Sequence, residues 1–383
     1  MKEIAYPAAV SCGCLLGHAT SARGAEWTLT PLFSSSVDYD SNRRLELDQS
    51  GSESAVVTAD LSFRRAVENG DIYIEPRYSF RRFSDGSLGN GDDRSLYAGF
   101  DWLQERTTLN VTASVWDQST LLTELQETGI VNGNTHRRLA HGSANWTWTQ
   151  TERRQLVTQV SFDDVKYHGD GESLLPGYRY PSGSIGERFN FSERGSVTVS
   201  LFGSRLESDS PGNSSHEYGV QAELVYSFTE RIHLDGSIGQ SSRVLAGTSS
   251  HGTDTAITLT RDLERGILSA GFTRSLVPYG VGFLVEREQL NALVSHSLTP
   301  NLDASLAVLR IRNNELAVLL GIDRRSYDSV TGNLNWHLTP TWTLSGQVAA
   351  IQSQQPGFVN QTVHQWRTAV TLIWAPLPRQ RSW

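Results

Sequence analysis

The sequence predicts an all-β fold: a single transmembrane antiparallel up-and-down β-barrel of about 18 strands, with roughly 16 to 18 allowed. Three observations predict it. A short polar phrase recurs along the chain, apolar and polar residues alternate between its copies, and aromatic residues lie beside the copies. The fold class follows from the first two, and the membrane environment follows from the third.

The recurring phrase consists of an aromatic or apolar residue, then Ser, Thr or Gln, then Glu-Arg or Pro, and it returns about every 35 to 47 residues. Its copies are Trp102–Arg106, Trp148–Arg153, Phe191–Gly195, Phe228–Arg231, Leu263–Gly266, Leu298–Asn301 and Leu338–Thr341, with Val67–Gly70 as a weaker first copy. Each copy is a tight polar turn between two period-2 segments, which predicts a β-hairpin. Eight hairpins and one strand at each end, about Trp27–Tyr39 and Thr362–Ala375, give eighteen strands.

An even strand number places both chain ends beside the short turns, on the periplasmic side of the barrel. The connections on the extracellular side are expected to be longer and rich in Gly, Ser, Asn and Asp. They are predicted around 40–53, 85–93, 119–137, 168–180, 209–215, 245–253, 313–325 and 354–361.

Alternation within the strands predicts one apolar and one polar face, as in Leu109–Val115 and Trp342–Val348. The polar parity carries charged residues in mid-strand, which a packed interior excludes and a water-filled lumen accepts. The candidates for lining the lumen are Asp60, Arg64, Glu75, Arg77, Arg81, Asp101, Glu223, Asp235 and Arg367. Counting along the first hairpin predicts that Asp60 and Arg77 lie at similar depths.

Large aromatic residues concentrate within a few positions of the short turns, mostly on the apolar parity. Amphipathic rings prefer the membrane–water interface, so these residues predict a girdle at one interface. Its predicted members are Trp102, Trp146, Trp148, Phe189, Phe191, Tyr226, Phe228, Trp336, Trp342 and Trp374.

Composition and chain ends point to the bacterial outer membrane. Residues 1–25 resemble a secretory signal peptide, residues 26–375 form the predicted barrel, and residues 376–383 form a short periplasmic tail after Ala375-Pro376-Leu377-Pro378 breaks the alternation. Both cysteines, Cys12 and Cys14, lie in the leader, which suits an oxidising compartment. The net charge of −8 argues against nucleic acid as a partner.

No residue pattern predicts an enzyme, a cofactor site or a metal site. The histidines are dispersed, and no nucleophile motif surrounds any serine. The acidic pairs Asp38/Asp40, Asp92/Asp93 and Asp163/Asp164 could hold calcium, and His136–Arg138 could meet lipopolysaccharide phosphate. Solvated surface charge is the better interpretation of both features.

The turns at Leu298–Leu306 and Leu338–Val348 share a Leu-Thr-Pro pattern that resembles a family of proteobacterial β-barrel porins often encoded with exopolysaccharide export systems of the PEP-CTERM/EPS type. The resemblance covers nearly the whole barrel and implies a conduit for polysaccharide, or a service role in its export. The implied partners are outer-membrane lipid and lipopolysaccharide, the barrel assembly machinery, polysaccharide and periplasmic export proteins.

Two alternatives remain open: a general diffusion porin for small hydrophilic solutes, and a structural or adhesive barrel plugged by its loops. A sugar conduit should display a ladder of lumenal rings for stacking. Tyr73, Tyr97, Trp116 and Phe202 lie on the polar parity and are the candidates for such a ladder.

Overall fold

The computed structural model describes residues 26–45, 51–84, 90–127, 135–169, 175–210, 214–245, 248–280, 282–314, 325–355 and 361–382. The signal peptide predicted at residues 1–25 lies outside the described residues, as do parts of most predicted extracellular connections. Among the described residues, no helix is long and apolar enough to cross a membrane.

The described residues are almost entirely β-strand. The first nine strands are Glu26–Asp40 (β1), Ser52–Val67 (β2), Gly70–Phe83 (β3), Gly91–Gln104 (β4), Thr107–Ser119 (β5), Thr135–Thr151 (β6), Arg154–Gly169 (β7), Tyr178–Ser192 (β8) and Gly195–Ser208 (β9). The next nine are Ser214–Thr229 (β10), Ile232–Leu245 (β11), Thr248–Leu263 (β12), Gly266–Tyr279 (β13), Phe283–Thr299 (β14), Leu302–Asn314 (β15), Arg325–Thr339 (β16), Trp342–Gln355 (β17) and Gln361–Trp374 (β18). A helix, Thr120–Glu127 (α1), lies between β5 and β6, and a short strand, Arg379–Ser382 (β19), follows β18.

The strands form one closed antiparallel barrel. Each strand pairs with its neighbours in sequence, and β1 closes the ring by pairing with β18, with Phe33 opposite Trp374. Closure leaves no sheet edge among β1–β18, so every strand finds hydrogen-bond partners on both sides. The predicted all-β barrel of about eighteen strands is confirmed.

The segment expected as a periplasmic tail contributes to the wall. β19 pairs with Glu26–Leu29 of β1, beside the strand end where β18 has stopped. Pro376 and Pro378 separate β18 from β19, and a proline cannot donate a ladder hydrogen bond. The alternation therefore breaks at this point, although the chain goes on to pair with the same neighbouring strand, β1.

The eight short turns occur where the repeated phrase places them, and their chemistry explains the phrase. The Ser or Thr hydroxyl accepts backbone N–H bonds from the turn: Thr151 Oγ1 accepts from Arg154 N at 3.1 Å, and Thr339 Oγ1 accepts from Trp342 N at 3.0 Å. Such side-chain bonds stabilise tight turns. Register shifts beside several turns, such as His337/Thr339, place this residue at a bulge.

The opposite end carries nine connections, at 41–51, 84–90, 120–134, 170–177, 209–213, 246–247, 280–282, 315–324 and 356–360. We call this the loop end and the other the turn end. The connection at 280–282 is absent from the sequence prediction, because Pro278-Tyr279-Gly280-Val281-Gly282 is short and apolar and lacks the composition of a solvated loop. The loop predicted at 245–253 is shorter than expected, since β12 already begins at Thr248.

Candidate functional site

Cross-strand pairing divides the wall into two faces. Directly paired residues share a face, and the face alternates along each strand. One face carries the exposed large apolar side chains, among them Val57, Leu201 and Val370. The other face is mainly polar. A barrel of this size encloses water, so the apolar face is the outer face and the polar face is the lumenal face.

The register places all nine charged candidates on the lumenal face: Asp60, Arg64, Glu75, Arg77, Arg81, Asp101, Glu223, Asp235 and Arg367. Asp60 pairs directly with Arg77 across β2 and β3, so the two lie at the same depth. Arg77 Nε is 3.4 Å from Asp60 Oδ1, and Arg64 Nη2 is 2.5 Å from Asp71 Oδ2. The Ser62 hydroxyl donates to Glu75 Oε1 at 2.9 Å. Opposite charges therefore alternate along this stretch of the lumenal wall.

Arg81 differs from the other candidates because its side chain is only 12% exposed. Its Nη1 lies 3.5 Å from Asp38 Oδ1, and Arg43 Nη2 lies 2.5 Å from Asp38 Oδ2. Two guanidinium groups thus share one carboxylate near the loop end. The sequence predicted that Arg81 faces open lumenal water, but its side chain is mostly buried in this cluster.

The segment 41–45 after β1 folds into the barrel and covers this cluster. Leu45 adopts a φ of 52° and is fully buried. It packs on the lumenal side chains Ile311, Tyr327 and Val363. A polar stretch beginning Ser41-Asn42-Arg43 suggests a loop in solvent, so the sequence offered no signal for this inward path.

The loop end of β13 and β14 also leaves the wall. Pairing of β12 with β13 stops at Thr255 opposite Arg274, whereas β13 and β14 remain paired as far as Tyr279 opposite Phe283. We call residues 275–280 and 282–287 the inner hairpin. Its Leu276 and Leu284 are buried with lumenal residues of β7 to β9, namely Val165, Tyr178, Tyr180 and Leu206. The inner hairpin therefore lies inside the barrel, past β12, β11 and β10.

A buried ionic network joins the inner hairpin to the wall. Arg243 on β11 is fully buried. Its Nε is 2.9 Å from Glu217 Oε1, its Nη2 is 2.6 Å from Asp254 Oδ1, and its Nη1 is 3.3 Å from Glu286 Oε2 on the inner hairpin. Arg274 Nη2 is 2.8 Å from the other oxygen of Glu286. A buried ion pair stabilises the fold only while both of its partners are present, because a buried charge without a partner is costly.

Gly252 on β12 makes this network possible. The guanidinium of Arg243 crosses β12 at Gly252, and a Cβ atom there would lie 2.0 Å from Arg243 Cζ. Any side chain at this position would displace the guanidinium, so glycine is required for Arg243 to reach Glu286.

The helix α1 is a third inward segment. Its Glu124 is fully buried, and Glu124 Oε1 accepts a hydrogen bond from the Tyr167 hydroxyl at 2.9 Å. Arg137 Nε lies 3.7 Å from the same oxygen. Tyr167 and Arg137 share the lumenal face of β7 and β6. Segment 41–45, α1 and the inner hairpin together narrow the lumen towards the loop end.

The lumenal wall between the turn end and mid-strand is acidic. Its acids are Glu26, Asp60, Asp71, Glu75, Asp101, Glu223, Asp235, Asp262 and Asp303, and its arginines are Arg64, Arg77, Arg188 and Arg367. His337 Nε2 lies 2.9 Å from Asp303 Oδ2, and the Ser297 hydroxyl donates to Asp303 Oδ1 at 2.6 Å. Among the described residues, acids thus outnumber arginines on this part of the wall.

The ten predicted girdle aromatics all lie on the outer face near the turn end. Several are in ring contact: Trp342 and Trp374 have centroids 6.0 Å apart, and Phe191 and Tyr226 have centroids 6.3 Å apart. Nearer the loop end, a second group of exposed outer aromatics comprises Tyr39, Tyr78, Phe80, Phe162, Tyr218 and Trp366. This second group was not predicted, because its members lie in mid-strand or near the loops and not beside the short turns.

A disulfide between the inner hairpin and the wall should form. A Cβ built on Gly282 would lie 3.3 Å from Ser208 Cβ on β9, near the 3.5–4.5 Å typical of disulfides. We expect Ser208→Cys with Gly282→Cys, in a Cys12→Ser/Cys14→Ser background, to oxidise to a species of altered electrophoretic mobility. The positive φ of Gly282, 88°, will slow this reaction without preventing it.

The matched control places the second cysteine at Ser95, on the lumenal face of β4, with the same Gly282→Cys substitution. This pair should keep free thiols. Equal cross-linking of both pairs, or free thiols in both, would contradict the position of the inner hairpin.

A closed antiparallel barrel with an apolar outer face and a polar lumen is the β architecture that crosses the bacterial outer membrane, because pairing around the ring satisfies the backbone groups of the strands within the wall. The chain is a protein of this class and of this location.

The fold is similar to crystal structures of Occ/Opd outer-membrane porins. OpdQ of Pseudomonas aeruginosa matches with a TM-score of 0.51 and 10% identity, over 92% of this chain and 98% of that one. OccK9 (OpdG) of the same species matches with a TM-score of 0.51 and 13% identity, over 92% and 98%. OccAB3 of Acinetobacter baumannii matches with a TM-score of 0.50 and 7% identity, over 91% and 99%. At these identities the likeness shows the fold alone. The sequence matches no protein-family model and no curated protein.

Proposed function

We propose that the protein is a passive outer-membrane channel for small hydrophilic solutes, with a preference for cations. The observation that carries the proposal is the acidic lumenal wall between the turn end and mid-strand. Fixed charges in a water-filled passage raise the local concentration of opposite ions and bias permeation. The solutes that pass are limited in size by the three inward segments at the loop end.

The structural neighbours support diffusion better than exopolysaccharide export. The three neighbours named above are Occ/Opd porins, and the export association has no support from these three. Of the four lumenal aromatics considered for sugar stacking, Tyr73 and Tyr97 are in ring contact, with centroids 5.7 Å apart. A two-ring cluster on adjacent strands is too short for a stacking ladder along the barrel. We therefore place the polysaccharide conduit second.

The plugged structural barrel is the remaining alternative, and the inward segments are the observation that favours it. If these segments seal the lumen, the folded protein will not conduct. The proposed partners are the same for the diffusion channel, the polysaccharide conduit and the plugged barrel. The barrel assembly machinery inserts the protein, and outer-membrane lipid and lipopolysaccharide then surround its outer face.

Replacing Arg77 by glutamine should shift ion selectivity further towards cations. Arg77 is a half-exposed lumenal cation, and its removal leaves the charge of Asp60 unopposed. Asp60→Asn should shift selectivity in the opposite direction. Reversal potentials across a planar bilayer with a salt gradient measure both shifts.

The matched control is Arg65→Gln. Arg65 is adjacent in sequence to a lumenal candidate, but it lies on the outer face and stacks on Trp27, with its Cζ 5.3 Å from the ring centroid. Its loss should leave the reversal potential unchanged. Equal shifts from Arg65→Gln and Arg77→Gln, or none from Arg77→Gln in a conducting channel, would show that Arg77 lines no open path.

A further inference from the structure

Two histidines and an aspartate converge at the loop ends of β5, β6 and β7. Asp117, His136 and His168 lie on the outer face of these strands. His136 Nδ1 is 3.4 Å and His168 Nε2 is 3.6 Å from Asp117 Oδ1, and the three ligand atoms all lie within 4.8 Å of one another. They are distant in sequence, so inspection of the sequence alone does not group them.

The spacing matches that of ligands around one ion. Zinc–nitrogen and zinc–oxygen bonds of about 2.0–2.2 Å in a tetrahedral shell separate neighbouring ligand atoms by about 3.3–3.5 Å. The two distances to Asp117 Oδ1 are close to this value, yet both atom pairs fall outside ordinary hydrogen-bond geometry. Asp117 Oδ1 is shielded from solvent and has no hydrogen-bond partner among the described residues. A buried acceptor of this kind requires a partner, and a cation would supply it.

We propose that Asp117, His136 and His168 bind one divalent transition-metal ion, such as Zn²⁺ or Cu²⁺, at the extracellular rim of the barrel. Two imidazoles and one carboxylate suit these borderline ions, whereas Ca²⁺ and Mg²⁺ prefer shells composed of oxygen atoms. Three protein ligands leave a fourth position open for water. The His168 side chain is 52% exposed, so the ion can enter from solvent.

The surrounding charges permit a cation. Arg94 pairs with Asp92, and Lys166 Nζ lies 3.6 Å from Asp164 Oδ2, so each of these cations has its own carboxylate. Arg94 and Arg138 lie opposite Asp117 on its two neighbouring strands, and their charges will weaken the binding of any cation. The bound ion would join three strand ends and both ends of the connection that carries α1.

The test uses the full chain, purified in detergent, in a Cys12→Ser/Cys14→Ser background so that thiols do not take the ion. Zn²⁺ titration by calorimetry should show one saturable site. Cu²⁺ added in equimolar amount should give an electron paramagnetic resonance spectrum with coupling to two imidazole nitrogens. His136→Gln, His168→Gln and Asp117→Asn should each weaken Zn²⁺ binding by at least about tenfold.

Two controls define the outcomes. His251→Gln removes a histidine of the outer face near the loop end of β12, outside the cluster, and should leave binding unchanged. Variants are compared only after a heat-dependent mobility shift shows that they have folded. Any of three results overturns the proposal. The parent protein binds no Zn²⁺, every folded cluster variant binds Zn²⁺ as the parent does, or millimolar Ca²⁺ displaces Zn²⁺ and fills the site to the same occupancy.

Discussion

Arginine in place of Leu201 is expected to impair assembly of the barrel strongly. Leu201 lies near the middle of β9 on the outer face and is 63% exposed to the surroundings of the barrel. In the membrane this position meets lipid, and an arginine at the bilayer midplane costs about 2–4 kcal/mol. The measurements are the fraction of protein that shows a heat-dependent mobility shift and its urea midpoint in lipid vesicles.

The matched control is Ser200→Arg, one residue away on the lumenal face. Ser200 lies opposite Gly186 on one neighbouring strand and Gln221 on the other, so an arginine there has room and water. This variant should assemble like the parent protein. Equal tolerance at both positions would contradict the assignment of the outer face to lipid, and impaired assembly of Ser200→Arg alone would show that the outer and lumenal faces have been exchanged.

Replacing Arg243 by methionine is expected to release the inner hairpin and widen the lumen. Among the described residues, Arg243 alone bonds Glu217, Asp254 and Glu286 together. Its removal leaves Glu217 and Asp254 without their cation, and only Arg274 still pairs with Glu286. Breaking a buried ionic network by removing one member costs about 3–5 kcal/mol. Single-channel conductance should rise, and the oxidised Ser208→Cys/Gly282→Cys bond should reverse the rise by holding the inner hairpin in place.

Arg205→Met serves as the control for this variant. Arg205 lies on the outer face of β9, and its guanidinium pairs with Glu207 at 3.0 Å in an exposed position. Exposed pairs contribute little to stability, so conductance and stability should not change. Unchanged conductance in Arg243→Met, together with a lowered unfolding midpoint, would show that the network stabilises the wall without governing the passage.

The wall of the barrel was predictable because its rules are local. Period-2 alternation fixes which residues share a face. A hydroxyl before five of the eight short turns, as in Thr339, marks where the strand reverses. Both signals recur around the ring, so a strand that is wrongly assigned at one hairpin is identified by the pattern of the next hairpin. Strand number, face assignment and the direct pairing of Asp60 with Arg77 all follow from them.

The inward segments were not predictable because their contacts are distant in sequence and occur once each. Leu276 meets Leu206, and Arg243 meets Glu286, through folding of the chain into the lumen. Neither contact produces a repeating pattern in the sequence. Gly252 could have provided a hint, but a glycine in a strand is equally typical of a bulge or a bend. The ligand cluster of Asp117, His136 and His168 was missed for the same reason.

Current through the parent protein in a planar lipid bilayer tests the central claim most directly. We expect discrete, stepwise conductance and a reversal potential in a salt gradient that reports a preference for cations over anions, because the lumenal wall near the turn end is acidic. Folded protein that inserts but never conducts would contradict the proposed channel and favour the plugged structural barrel. A conducting channel with a clear preference for anions would contradict the role assigned to the lumenal acids.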